Sequence, residues 1–250
     1  MSRELEGRVA IVTGAARNIG RSIAVALGSA GASVVVNAKT SMDLAQETAQ
    51  AVRDAGGDAF VHLADVANPA DGAGLIAAAI EHFGHLDILI NNAAIRRETP
   101  FAALGWAEWR EIVSVILDGA YICAHAALPY LEKSPAGRII NIGGMSAHTA
   151  ASGRAHVVAA KAGLIGLTRA LAHELGPAGI SVNCVVPGLI GTIRGSSAPE
   201  TPAHRSTQKM PLGRYGTPDE IASIVRYLCG PQAGYITGQT IHANGGAFMP

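Results

Sequence analysis

The sequence predicts an α/β fold built on a mainly parallel sheet, and three observations support this prediction. Short apolar, β-branched runs alternate along the chain with longer Ala-rich helical stretches. Strand-like runs such as Val9–Val12 are apolar on both faces, as strands covered by helices on both sides must be. The composition, 49% hydrophobic and 15% charged, excludes wholesale disorder and indicates a large buried core.

The individual elements follow from this alternation. The predicted strands cover residues 9–12, 33–37, 59–63, 86–91, 138–142, 180–185 and 240–243. The predicted helices lie near 19–30, 42–55, 70–83, 107–131, 154–175 and 217–229. No linker or internal repeat interrupts the pattern, so we predict a single domain over residues 1–250. The irregular stretch at about 188–213 is rich in Gly, Ser, Pro and Thr, which predicts a substrate lid.

Charge and cysteine content argue against several classes of function. Lys+Arg and Asp+Glu both number 19, so the net charge of zero gives no electrostatic footprint for nucleic acid or an anionic membrane. The three cysteines form no disulfide or metal pattern, and no His, Asp or Glu cluster has metal-ligand spacing. The N-terminus lacks signal-peptide features, and no run of about 18 apolar residues occurs. We therefore predict a cytoplasmic protein with no metal, nucleic-acid or membrane partner.

A glycine-rich turn, TGAARNIG at 13–20, connects the first strand to the first helix. Glycine there lets the backbone approach a pyrophosphate at the positive end of the helix. This signal alone is weak, because an ordinary strand–helix turn has similar residues. Further motifs follow later strands at their carboxyl ends, where open α/β sheets bind ligands. They are Asp65-Val66, Asn91-Asn92-Ala93-Ala94, Pro187-Gly188 and Thr192.

With Lys161 in the long helix after the fifth strand, these motifs resemble the short-chain dehydrogenase/reductase family. The segments GRYGTPDEIA (213–222), YITGQ (235–239) and NGG (244–246) resemble its 3-oxoacyl-acyl-carrier-protein reductase branch. The resemblance covers essentially the whole chain. It implies a Rossmann-like, three-layer fold with a seven-stranded sheet, a nicotinamide dinucleotide cofactor and a tetramer.

The resemblance also implies the cofactor contacts. Gly14 and Gly20 match the phosphate-loop glycines, and Asn18 replaces the middle glycine as the residue next best suited to left-handed backbone. Asp65 and Val66 match adenine contacts. Asn91 matches a ribose-side contact, Lys161 the ribose clamp and Thr192 the nicotinamide carboxamide contact. The predicted cofactor set is Gly14, Arg17, Asn18, Ile19, Gly20, Lys39, Asp65, Val66, Asn91, Ala93, Lys161, Pro187, Gly188 and Thr192.

The end of the second strand predicts which cofactor is preferred. An acidic side chain there would bind the adenosine ribose and repel a 2′-phosphate. Residues 36–40 read VNAKT, without an acid, and Arg17 and Lys39 are positioned to pair with a phosphate. We predict NADP(H) in preference to NAD(H), which stays possible. The alternative is that both cations are merely solvated.

The catalytic pattern of the family is incomplete in this sequence. The family uses Asn, Ser, Tyr and Lys, with the Tyr one helical turn before the Lys. Val157 occupies the Tyr position, Gly144 the Ser position and Ile116 the Asn position, so only Lys161 remains. Loss of a positioned acid costs about 10²–10⁴-fold in rate. We therefore predict that the tyrosine-dependent mechanism is absent.

Candidate substitutes lie nearby. Ser146 and His148 follow the vacant serine position, and His156 adjoins the vacant tyrosine position although it points about 100° away. Each also has a simpler reading: a turn cap for Ser146, and an interface residue for a histidine. We predict Lys161, His148 and Ser146 as the catalytic set.

Several arginines are predicted to converge on the mouth of the site. Arg96 and Arg97 follow the Asn-Asn-Ala-Ala motif, Arg154 precedes Val157, and Arg194 begins the lid. Such a group suits an anionic substrate, although each arginine alone is equally consistent with a solvated rim. The predicted substrate contacts are Arg96, His148, Arg154, His156 and Arg194.

Three functions remain open from sequence. The first is an oxidoreductase of atypical mechanism, for example an imine reductase, since an iminium ion accepts hydride without needing a proton. The second is a non-redox enzyme of elimination, hydrolysis or decarboxylation on the same scaffold. The third is a catalytically silent nucleotide-binding subunit. The helices near 107–131 and 154–175, apolar on more than one face, favour a homotetramer of 222 symmetry.

Overall fold

The computed structural model describes residues 3–192 and 210–250 and assembles seven parallel strands into one sheet. The strands are β1 (Val9–Val12), β2 (Ser33–Ala38), β3 (Asp58–Leu63), β4 (Ile88–Asn91), β5 (Arg138–Ile142), β6 (Ser181–Pro187) and β7 (Thr240–Ala243). Their order across the sheet is β3-β2-β1-β4-β5-β6-β7. The predicted α/β, Rossmann-like fold with a seven-stranded sheet is confirmed.

Eight α-helices are assigned within the described residues. They are α1 (Asn18–Ser29), α2 (Met42–Asp54), α3 (Pro69–Phe83), α4 (Trp106–Val113), α5 (Gly119–Leu131), α6 (Ser146–Thr149), α7 (Ala155–Leu175) and α8 (Pro218–Cys229). Residues in strands β1, β5 and β6 are buried throughout. One apolar layer packs α1, α2 and α8 on one face of the sheet, and a second packs α3, α5 and α7 on the other. Burial on both faces explains why the strands read as continuous apolar runs.

The helix predicted over 107–131 is interrupted. A π-helical turn, Ser114–Asp118, separates α4 from α5. Such turns insert one residue into the helix and often occur at functional sites. This one contains Ile116, the residue at the family's Asn position.

Two helical stretches, Trp106–Leu131 and Ala155–Ala178, are long and apolar enough to span a membrane by length and composition. About half of each apolar window, 50% and 44%, is buried inside the fold. Core helices of α/β domains meet the same criterion, and these two pack against the sheet and each other. They carry no indication of a membrane partner.

The strand order reverses between β1 and β4: β2 and β3 lie on one side of β1, and β4 to β7 lie on the other. In open α/β sheets a crevice forms at this point, outside the carboxyl ends of the strands. The glycine-rich turn after β1 and the segments after β4, β5 and β6 all end at this edge. Of the predicted lid at 188–213, residues 188–192 and 210–213 are described, and the remainder lies outside the described residues.

Candidate active site and nucleotide cleft

A cavity of about 540 Å³ lies at the carboxyl edge of the sheet. It extends from the glycine-rich turn and the end of β2 to the segment after β5 and the first turns of α7. Most of the predicted cofactor residues line it: Gly14, Arg17, Asn18, Ile19, Gly20, Lys39, Asp65, Val66, Ala93, Lys161, Pro187, Gly188 and Thr192. The structure therefore brings together motifs that are up to 178 residues apart in sequence, from Gly14 to Thr192.

The glycine-rich turn has the backbone that its residues predict. Gly14 has φ +61°, and a Cβ there would lie 2.9 Å from the Cα of Ala93. Asn18 has φ +53°, which confirms the left-handed conformation expected where the middle glycine is replaced. Within the described chain the side chain of the N-cap residue Arg17 makes no capping hydrogen bond to α1. Asn18, Ile19 and Gly20 of the first helical turn line the cavity, which places the N-terminus of α1 where a phosphate is favoured.

Asn37 holds this turn in place, a role that the sequence analysis missed. Its Oδ1 accepts a hydrogen bond from the Gly14 N–H (3.2 Å), and its backbone carbonyl accepts from Ala15 N–H (2.7 Å). Its amide nitrogen donates to the carbonyl of His62 in β3 (3.2 Å) and to that of Ala64 just beyond it (3.2 Å). A buried Asn inside an otherwise apolar strand is the signal that identifies such a residue. The close approach at Gly14 and the helix N-terminus beside it together fit a dinucleotide pyrophosphate.

The ends of β2 and β3 meet at one wall of the cleft. Lys39 Nζ lies 2.6 Å from Asp65 Oδ2, with both side chains partly exposed. The hydrogen bond to Asp65 raises the pKa of Lys39. Partial burial acts to raise the pKa of Asp65, but the hydrogen bonds from Lys39 and the Ala67 N–H outweigh it and lower the pKa. Both groups are thus charged and paired with each other at the predicted adenosine end.

Asn91 does not occupy the predicted ribose-side position. Its side chain is buried at the end of β4 and donates to Asn141 Oδ1 (2.9 Å). The next residue, Asn92, borders the cavity instead, and its amide donates to the carbonyls of Thr13 and Gly14. Asn91 therefore does not line the cavity, because it still belongs to the buried strand, whereas Asn92 is the first residue beyond it.

Lys161 lies at the other end of the cavity, 7% exposed, and its ammonium donates to the carbonyl oxygen of Ile142. Burial, together with the positive charges of Arg96 and Arg154, lowers the pKa of Lys161 to about 7. A lysine in this environment exchanges its proton near neutral pH.

The residues beside Lys161 offer no protonatable side chain at the family positions. Gly144 and Val157 both line the cavity. A Cβ on Gly144 would meet only the Lys161 Cγ, at 3.8 Å, so the backbone leaves room for a serine there. Val157 and Ile116 are buried in one apolar cluster with residues of α4, α5 and α7. Val157 therefore makes this wall of the cavity apolar.

Two predicted substrate arginines, Arg96 and Arg154, line the same cavity, together with Arg97. Arg96 and Arg97 follow β4, and Arg154 immediately precedes α7. Ser146, at the start of α6, also borders the cavity. Arg194 lies outside the described residues. The described part of the mouth thus combines Lys161 with arginines from two different loops.

Neither predicted histidine lines this cavity. His148 packs against His242 and Phe248, with ring centroids 4.5 and 5.2 Å away, because α6 turns it toward the C-terminal segment. His156 is fully buried, and its Nε2 lies 3.4 Å from Glu108 Oε1. The geometry therefore corrects both assignments: the two histidines serve packing and a buried network, and only Ser146 of the three substitutes borders the cleft.

The chain matches known proteins over nearly its whole length. A family model described as Enoyl-(Acyl carrier protein) reductase covers residues 14–247. The 3-oxoacyl-[acyl-carrier-protein] reductase FabG of Staphylococcus aureus is 38% identical over 240 residues, covering 96% of this chain and 98% of the relative. The chain belongs to the short-chain dehydrogenase/reductase family. Within this family it lies in the 3-oxoacyl-acyl-carrier-protein-reductase-like branch, as the sequence motifs predict.

Solved members of the family share this fold closely. A short-chain dehydrogenase from Burkholderia cenocepacia J2315, solved in complex with NADP, is 34% identical with a TM-score of 0.90, over 98% of this chain and 99% of its own. A short-chain dehydrogenase/reductase from Serratia marcescens is 36% identical with the same TM-score and the same coverage. The described residues therefore share their fold with solved short-chain dehydrogenases/reductases.

Proposed function

We propose that this short-chain dehydrogenase/reductase uses NADP(H) to reduce a small anionic substrate without the family's tyrosine mechanism. One observation carries the proposal. One cleft contains the glycine-rich turn suited to a dinucleotide pyrophosphate, the buried Lys161, and a wall that includes Gly144 and Val157. The family places its oxygen-binding serine at the position of Gly144 and its proton-donating tyrosine at the position of Val157.

The cofactor half of the proposal rests on the chain's own residues. Gly14, Gly20 and the N-terminus of α1 would hold the pyrophosphate. Arg17 and Lys39 lie where a 2′-phosphate would be bound, and Lys39 would exchange its Asp65 partner for that phosphate. Asp65 would then be available to accept from the adenine amino group. The NADP complex of the Burkholderia relative supports this choice.

Bound NADP(H) supplies hydride. The chain's residues must then bind and orient a substrate that needs little help with a proton. An iminium carbon meets this requirement, because hydride addition converts the C=N bond into a single bond and leaves a neutral amine. The apolar side chain of Val157, which packs in one cluster with Ile116, offers no proton donor at this wall of the cavity. For a ketone, the proton would have to come from Lys161, whose pKa is near 7, or from a water that it orders.

The anionic character of the substrate rests on Arg96, Arg97 and Arg154 at the mouth. Guanidinium groups from two loops can bind a carboxylate in a fixed orientation. An imine or carbonyl compound that carries a carboxylate combines both requirements. We further propose a homotetramer, assembled through the exposed faces of α4, α5 and α7.

Nicotinamide absorbance, followed with matched imines and ketones with and without a carboxylate, tests this function. We expect NADPH oxidation with the imine carboxylate, and slower reaction with the neutral imine and with ketones. In Arg154→Ala we expect KM for the carboxylate substrate to rise at least about tenfold. Tight NADPH binding without turnover of any compound would contradict the proposal and favour a catalytically silent nucleotide-binding subunit.

A further inference from the structure

A hydrogen bond connects the loop that carries Arg96 to the loop that carries Arg154, and the two residues that form it do not line the cavity. The backbone N–H of Thr99, three residues after Arg96, donates to the carbonyl of Gly153 (2.7 Å). Gly153 directly precedes Arg154 and has φ +69°. A Cβ at this position would lie 3.7 Å from the Thr99 nitrogen, which is an ordinary contact distance. Glycine is favoured here because other residues are strained at a positive φ.

A single carboxylate, that of Glu108 on α4, ties this junction to the helices behind it. Its Oε1 accepts from the Thr99 hydroxyl (2.7 Å) and lies 3.4 Å from the Nε2 of the fully buried His156 on α7. Arg97 approaches the same oxygen at 3.9 Å. The hydrogen bond from Thr99 lowers the pKa of Glu108, and the contacts with His156 and Arg97 lower it further. Glu108 thus stays ionised and connects three structural segments.

The neighbouring Glu111 provides a contrast on the same helix. Its Oε2 binds Arg97 Nη1 at 2.7 Å, and both side chains are partly exposed. No contact with Thr99 or His156 is recorded for it among the described residues. Exposed ion pairs of this kind contribute little, whereas the partly buried contacts of Glu108 with Thr99 and His156 join a loop to two helices.

We propose that Glu108 is a positioning residue that sets the spacing of Arg96 and Arg154 on the anionic group of the substrate. This inference rests on the anionic substrate of the proposed function. Glu108 does not line the cavity, and it acts through Thr99 on one loop and through His156, two residues after Arg154, on the other. A small displacement of either guanidinium group would greatly lower the affinity for the anion, because charge-assisted hydrogen bonds need defined geometry.

The test measures binding of inorganic phosphate, a simple anion, by calorimetry in the presence of saturating NADP⁺. We expect Glu108→Ala and Thr99→Val each to weaken phosphate binding by about tenfold, with unchanged NADP⁺ affinity. Thr99→Val removes the same hydrogen bond from the loop side with little change of shape. The two changes combined should cost no more than Glu108→Ala alone, because they break one shared network. Glu111→Ala is the matched control and should bind phosphate as the wild type does.

An Arg154→Ala variant separates the two possible failures. If Arg154→Ala loses phosphate affinity while Glu108→Ala and Thr99→Val keep it, the positioning inference is overturned and the anionic site stands. If Arg154→Ala binds phosphate like the wild type, the anionic site and the positioning inference both fail. Equal losses in Glu108→Ala and Glu111→Ala would indicate a general disturbance of α4, which carries both residues, and would also overturn the inference.

Discussion

Lys161 carries a primary amine enclosed by the fold at the inner end of the cleft. In related catalytic sites a neighbouring phenol shares the proton chemistry of such a lysine, but here the facing residue is Val157. The amine lines the described cavity, and its pKa of about 7 places its protonation change at physiological pH.

This lowered pKa has a consequence for stability. The unfolded chain binds the Lys161 proton up to about pH 10.5, whereas the native state releases it near 7. Linkage then requires that this group's contribution to stability is fully present above pH 10.5 and is lost as pH falls toward 7. We predict that Lys161→Met stabilises the protein at pH 7 by a larger free energy than at pH 10. Urea unfolding of both proteins at the two pH values measures it, and a pH-independent difference would contradict the lowered pKa.

Individual site residues were predictable from sequence where a strand or helix boundary fixes their position. Gly14, Asp65 and Lys161 follow from the motifs at the strand ends and on the long helix. The choice between Asn91 and Asn92 was not predictable, because a shift of one residue at a strand end exchanges a buried side chain for a cavity-lining one. His148 was misplaced because its neighbours, His242 and Phe248, are distant in sequence and their path depends on tertiary packing.

At the scale of elements, strand positions and most helix ends agree with the apolar periodicity. The π turn Ser114–Asp118 could not be read from it, since one extra helical residue leaves the composition of the stretch unchanged. The four-residue helix α6 was also missed, because its SAHT sequence has no apolar period to detect. These two irregular elements flank the cavity. Local sequence patterns therefore predict the surrounding strands and helices but not the backbone at the site itself.

The contact between α6 and the C-terminal segment contains a pair of histidines. The rings of His148 and His242 are 4.5 Å apart, and both also pack on Phe248. Burial lowers the pKa of both imidazoles. The charge of Arg169 on α7 lowers that of His148 further, and the charge of His148 lowers that of His242 further. Each group therefore contributes stability that is present above about pH 6.5 and is lost as pH falls toward the lower native pKa.

We predict that residues 244–250 lose hydrogen-exchange protection as pH falls from 7.5 to about 5.5, because two facing cations form in a partly buried contact. His148→Phe keeps a ring against His242 and Phe248 but cannot be protonated, so its C-terminal segment should stay protected at the lower pH. The exposed His173→Gln serves as the control and should behave like the wild type. Equal loss of protection in wild type and His148→Phe would contradict the assignment of this pH response to the histidine pair.

At the scale of the whole molecule, several large apolar side chains remain on the surface of the isolated subunit. Phe101, Trp106 and Tyr121, in or near α4 and α5, are 77%, 74% and 55% exposed. On α7, Ala159 and Ala162 are exposed, whereas Leu164 is buried in the subunit core. Small residues on an exposed helix face permit close packing of a second helix, and exposed aromatic residues often mark a protein interface.

We predict a homotetramer in light scattering at micromolar concentration. Ala162→Glu would place a charge in the centre of a closely packed helix face, and we expect it to lower the measured mass to that of a dimer or monomer. Lys133→Glu, on an exposed residue at the end of α5, is the charge-changing control and should leave the mass unchanged. A wild-type monomer would refute the tetramer.

The most direct test of the central claim asks whether the nucleotide cleft is intact while the tyrosine mechanism is absent. NADPH binding by fluorescence and ketone reduction by nicotinamide absorbance are compared in the wild type and in Gly144→Ser/Val157→Tyr. The space beside Gly144 admits the serine, and Val157 lies one helical turn from Lys161. We predict equal NADPH affinity, almost no ketone reduction by the wild type, and an increase of at least about 10²-fold in the double variant. Fast ketone reduction by the wild type that the double change leaves unaltered would contradict the account.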